Sequence, residues 1–229
     1  MKKLIALPSV GWWAILSGGV SIVGDVFLIL FYVFQAQRLF ESGRNAPDYL
    51  GRVNDAAVGI QALLLIPIVL ALIEILKRRA PVSLWQRFVV GAAVIGMAVI
   101  GCIQLLYAFH LISVVIQTSF ALPAWGFVGL WMILTHNRAR ANRLLSRSLA
   151  WLGMAIGASY LLLFISFFAF GGFVAVASGD RSVFFSNYAF IIATIISLLV
   201  GFFAYPIWAI WLGRVMLSGK MTERGKGRV

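Results

Sequence analysis

Six apolar stretches decide what this chain can fold into. They run over about 11–35, 55–76, 88–109, 113–135, 149–173 and 185–212, and polar residues concentrate between them. A run of about 20 apolar residues crosses the roughly 30 Å hydrocarbon layer of a bilayer as a helix, the local structure that satisfies its own backbone hydrogen bonds there. Outer-membrane strands would instead show short alternating segments, and none are present. With 62% hydrophobic and 11% charged residues, 229 residues lack the polar surface to close a water-soluble globule. The expectation is an all-α fold, a polytopic transmembrane bundle of six helices forming a single domain over 1–229.

Charge orients the bundle. Short cytoplasmic loops carry the Lys and Arg excess. Lys2 and Lys3 precede the first segment; Lys77, Arg78, Arg79 and Arg87 lie in the second loop; Arg138, Arg140, Arg143 and Arg147 in the fourth; Arg214, Lys220, Arg224, Lys226 and Arg228 in the tail. These are 15 of the 19 basic residues, and the alternate loops hold only Arg38, Arg44, Arg52 and Arg181. The asymmetry predicts six spans with both termini cytoplasmic, and it accounts for a net charge of +12 without nucleic acid. Met1-Lys2-Lys3 imitates a signal peptide, but the apolar run continues to about Phe34 with no A-x-A site, so it reads as an uncleaved first helix.

Tryptophan favours the headgroup region. Trp12, Trp13, Trp85, Trp131, Trp151, Trp208 and Trp211 fall near the expected cytoplasmic ends, with Trp125 the exception. In the fourth loop Arg138, Arg140, Arg143 and Arg147 suit contact with anionic lipid headgroups, either as an ordinary basic loop or as a short interfacial helix with Leu144, Leu145 and Leu149. Between the third and fourth segments His110, Ser113, Gln117 and Thr118 suggest a turn that no Gly or Pro marks. Pro67, Pro123 and Pro206 lie inside the second, fourth and sixth segments. Glu74 precedes Lys77 and Arg78 by three and four residues, as in a helix-end ion pair.

Asp25 is the residue that most suggests a site. It follows Trp12 by about 13 residues, roughly 20 Å along a helix, which places it near the membrane midplane. A carboxylate at such depth faces the bundle interior and is protonated, paired or hydrated. Ser17 and Ser21 precede it at four-residue intervals on one face. Two readings stand: a proton- or ligand-binding site, or a packing hydrogen bond to Gln104, Tyr107 or the Asn187, Thr194 and Tyr205 face. Gln104, Tyr107 and His110 also form a loose stripe that with the first loop would line an external vestibule.

Other chemistries lack their residues. His110 and His136 belong at opposite ends and cannot share a haem or metal, Cys102 is the single cysteine, and no C-x-x-C, H-E-x-x-H, intramembrane Lys or phosphate-binding Gly loop occurs. No cofactor is expected. Gly153 and Gly157 form a GxxxG, and Gly91, Gly96 and Gly101 line the third segment; both are faces for close helix contact, within the chain or with a homo-oligomer or membrane-complex partner.

The stretch Gly126 to Gly157, GFVGLWMILTHNRARANRLLSRSLAWLGMAIG, resembles a pattern in bacterial six-helix membrane proteins classed as domains of unknown function. There a basic loop leads into a Leu-Pro-Arg-x-Leu-x-Trp-x-Gly-like turn. Leu145, Arg147, Leu149, Trp151, Leu152 and Gly153 echo it, with Ser146 where proline is usual. The resemblance implies six helices and a bacterial inner membrane, and supplies no activity. Three classes of function remain: a bundle binding a small or lipidic ligand around Asp25 or serving as an accessory subunit, a small proton-coupled transporter or channel, and a membrane enzyme of unrecognised type.

Overall fold

In a computed structural model, which describes residues 7–35, 48–79, 81–178 and 186–219, the six apolar stretches are six long helices. They are α1 (Leu7–Phe34), α2 (Tyr49–Lys77), α3 (Leu84–Ala108), α4 (Val114–Ala141), α5 (Arg147–Ala169) and α7 (Tyr188–Leu217), with a short α6 (Gly172–Ser178) after α5. All six are long and apolar enough to cross a membrane, and no strand occurs among the described residues. The protein is a multi-pass membrane protein. Several helices outrun their apolar stretches because polar residues at their ends still meet helical backbone needs. α4 continues past Thr135 to Ala141, where Arg138 and Arg140 fall in its last turn. Pro67, Pro123 and Pro206 sit within continuous helices.

Each helix packs against its neighbours in sequence, and α7 closes the ring against α1. Gly11 near the start of α1 meets Leu217 and the Gly213 carbonyl near the end of α7, so the two described ends lie on one side of the bundle. That side carries Lys77, Arg78, Arg79, Arg87, Arg138, Arg140, Arg143, Arg147 and Arg214; at the opposite end only Arg52 is basic among the described residues. Lys2, Lys3, Arg38, Arg44, Arg181, Lys220, Arg224, Lys226 and Arg228 lie outside the described residues.

Two tight turns share one design, which explains how the chain reverses without a Gly or Pro. At the end of α3, His110 adopts φ 63° and Leu111 N–H donates to the Leu106 carbonyl at 2.9 Å; at the end of α4, Arg143 adopts φ 56° and Leu144 N–H donates to Ala139 at 2.9 Å. Both are Schellman closures with a non-glycine residue in the left-handed position. Each is followed by two apolar residues and a serine, Ser113 or Ser146, whose side chain caps the next helix. The fourth loop is therefore a turn and not a separate interfacial helix, and Leu144 and Leu145 fold inward to 4% and 3% exposure. At α3, Ser83 and Gln86 form a reciprocal capping box.

Small residues set the tightest contact. Gly129 on α4 and Gly157 on α5 face each other so closely that a Cβ on either would lie 2.5–2.6 Å from the other's carbonyl oxygen. Gly153 lies flat against the buried His136 ring, which a Cβ would meet at 2.3 Å. The GxxxG face is thus consumed inside the chain, where close backbone approach gives dispersion attraction that lipid cannot displace. Gly96 and Gly101 likewise face Ala124 and Leu63, whereas Gly91 has open space beside it.

Tryptophan divides into two groups. Trp12, Trp13, Trp85, Trp151 and Trp211 are exposed, as anchors at the basic end should be. Trp131 and Trp208 are fully buried, which corrects their assignment as interface anchors: each sits at the right depth but turns inward, toward His136.

Candidate functional site

The polar interior begins on α1. Ser17, Ser21 and Asp25 share its inward face, with exposures of 0%, 2% and 7%. Tyr205 of α7 reaches Ser17, with 2.6 Å between the hydroxyls, and Ser17 also approaches the Gln61 carbonyl of α2 at 3.4 Å. Three helices are joined by this knot, in which Tyr205, offered by the sequence as a partner for Asp25, meets Ser17 instead, and Gln61 enters although the sequence did not single it out. Asp25 lies two turns farther along, about 7 Å beyond the midpoint of α1 at 1.5 Å per residue. It is level with Asn54 and Ala57 of α2, which press on neighbouring Gly24.

Asp25 opens sideways. With Leu28, Ile29, Tyr32, Ile195, Leu198, Leu199, Phe202 and Phe203 it lines a groove of about 390 Å³ between α1 and α7. The outer lips, Ile29, Tyr32, Ile195, Leu199 and Phe203, are roughly half exposed, so the groove faces the surrounding lipid. Behind Leu198 and Phe202 lies a second, inner void of about 20 Å³, which Val58, Gln61, Trp125, Tyr160, Leu163 and Ser197 complete. That volume suits a single water.

Other expected members lie elsewhere. Gln104 accepts from Gln117 Nε2 at 2.9 Å, and Tyr107 stacks under the Arg52 guanidinium at 5.0 Å while its carbonyl accepts from Arg52 Nη1 at 2.7 Å. Arg52 is also paired with Asp48 at 2.6 Å, and Asp55 lies one turn on along α2. This second cluster joins α2, α3 and α4 at the end away from the basic face, where α2, not α1, presents its partners. Asn187 caps α7, accepting from Phe190 N–H and donating to the Phe170 carbonyl. Thr194 lies one turn before Leu198, its hydroxyl oxygen buried without a hydrogen-bond partner.

The arginines of the fourth loop also separate. Arg138 donates to Gln86 and to the Pro81 carbonyl, tying the second loop to α4. Arg140 stacks over Trp151 at 4.9 Å, and Arg143 and Arg147 are exposed. Glu74 and Lys77 form the expected helix-end pair at 3.6 Å.

Sequence reading also missed a buried imidazole. His136 is fully enclosed; its Nδ1 lies 2.8 Å from the Met132 carbonyl, and Trp208 Nε1 donates to its Nε2 at 2.9 Å. A carbonyl on one side and an indole N–H on the other select the neutral ring protonated at Nδ1. This triad links α4 to α7 around the flat face of Gly153 on α5. No cluster of three metal-binding side chains occurs among the described residues. Compared with protein-family models, curated proteins and solved structures, the chain gives no match.

Proposed function

We propose that this multi-pass membrane protein takes an amphiphilic, chain-bearing molecule out of the surrounding bilayer and holds it between α1 and α7. The observation carrying this reading is the junction of one inward-facing carboxylate, Asp25, with a lipid-facing groove of about 390 Å³ whose other walls are apolar or aromatic. A volume of this size belongs to the range of small-molecule sites, and the mixture of many apolar contacts with one directional polar group is what such sites require. The groove would hold the chain and Asp25 the head. The charge asymmetry supports a cytoplasmic basic end, and the resemblance of residues 126–157 supports a bacterial inner membrane as the setting.

Photo-crosslinking tests the proposal. An alkyl amphiphile carrying a diazirine near its chain terminus, added to protein in lipid nanodiscs, should label peptides covering Leu28–Tyr32 and Ile195–Phe203. Leu199→Trp, which fills the groove from its outer lip, should reduce that labelling several-fold. Labelling spread evenly over all lipid-facing helices, and indifferent to Leu199→Trp, would defeat the reading.

A further inference from the structure

The floor of the groove specifies what kind of head group it takes. Asp25 forms no hydrogen bond or ion pair with any described residue; the ion pairs present join Arg52 to Asp48 and Lys77 to Glu74. Two further buried oxygens, on α1 and on the α2 face packed against it, lack hydrogen-bond partners. Ser21 Oγ stands one turn earlier on the same face of α1, and Asn54 Oδ1 projects from α2 against Gly24, where a Cβ would meet it at 3.4 Å. Both residues are more than nine-tenths buried.

In the groove that Asp25 lines, three aromatic rings also take part, Tyr32, Phe202 and Phe203. Ring faces attract a cation through their quadrupole, and a desolvated carboxylate attracts it through its full charge. An anion or a neutral polar head would gain from neither. Resting on the groove as a ligand site, we infer that the head group bound at Asp25 is a primary ammonium carried on an alkyl chain. Its charge and its N–H donors match the Asp25 carboxylate, which accepts through two oxygens, and its chain fills the apolar length beyond. A neutral alcohol brings one donor and no charge. A quaternary ammonium brings charge and no donor, and a bare alkali cation leaves the apolar walls unused.

The test is saturable binding of radiolabelled dodecylamine to the protein in phosphatidylcholine nanodiscs, with empty nanodiscs subtracted. Unlabelled dodecylamine should compete at concentrations roughly tenfold below those needed by dodecanol or dodecyltrimethylammonium. Asp25→Asn should abolish saturable binding while leaving a monodisperse protein, and Phe203→Ala should weaken it several-fold with the carboxylate intact. Equal competition by dodecanol would overturn the cationic assignment while leaving an alkyl groove. Equal competition by dodecyltrimethylammonium would overturn the N–H donor match. If dodecylamine, dodecanol and dodecyltrimethylammonium all failed to bind saturably, the groove itself would be refuted as a ligand site.

Discussion

Replacing Trp208 by Phe removes one N–H donor and leaves most of the ring's apolar area in place, so it isolates the hydrogen bond to His136. Both side chains have 0% exposure and the bond is 2.9 Å long. Stranding a buried acceptor costs about 1–3 kcal/mol in water-soluble proteins. Between membrane helices the average coupling is smaller, about 0.6 kcal/mol with a maximum near 1.7, because the unfolded state in the membrane finds other partners. His136 argues for the upper end. Its Nδ1 is already held by Met132, so the ring cannot turn to find another donor without losing that bond. A double-mutant cycle of Trp208→Phe and His136→Leu, read by denaturant unfolding in mixed micelles, should therefore give a coupling of about 1.5 kcal/mol. A coupling below about 0.5 kcal/mol would refute the hydrogen-bonded assignment and reduce the pair to packing neighbours.

Arg143 should be better as glycine, since an L-residue at φ 56° is strained and glycine is not; Arg143→Gly should stabilise the fold by roughly 0.5–1 kcal/mol, seen as a Tm a few degrees higher, and a lower Tm would contradict the strain argument. Gly153→Ala puts a methyl group into the His136 ring, so it should destabilise the monomer by about 2–3 kcal/mol. Loss of an oligomer without loss of monomer stability would show instead that this face binds another copy. Arg138→Met should free the second loop and raise tryptic cleavage at Lys77, Arg78 and Arg79 several-fold; unchanged cleavage would mean that the contacts with Gln86 and Pro81 do not hold that loop.

The membrane spans were legible because lipid imposes a single rule, and a run of apolar residues long enough to cross obeys it whatever its neighbours are. Ser17, Ser21 and Asp25 were legible for a similar reason: four-residue spacing on one helix fixes a shared face without tertiary knowledge. What escaped was everything decided by a neighbouring helix. Trp131 and Trp208 lie at the depth of interface anchors, and only the position of His136 tells that they turn inward. Gln61 and Asn54 sit seven residues apart on α2, a polar spacing visible in the sequence, yet their proximity to α1 follows from ring order. Gln104 and Tyr107 were drawn to Asp25 by polarity alone, whereas Gln104 meets Gln117 of α4 and Tyr107 meets Arg52 of α2. The paired turns His110-Leu111-Ile112-Ser113 and Arg143-Leu144-Leu145-Ser146 were hidden by the expectation that a left-handed residue should be glycine.

The proposed lateral capture rests in part on the shape of the ring's interior. Among the described residues, the voids beside Gln61 and beside Trp131 measure about 20 and 10 Å³, room for about one water each. A solute crossing through the centre would have to part the Ser17–Tyr205 contact and displace side chains from several helices together. Entry to Asp25 from the side requires much less. The α1–α7 seam joins the first and last spans, which share no hairpin, so the two can separate at their outer halves while all four intervening helices keep their contacts. Leu198 and Phe202 stand between that seam and the inner void and line both. In this conformation the shortest route between lipid and the buried polar groups therefore runs laterally past these two side chains, which favours capture from the bilayer over conduction across it.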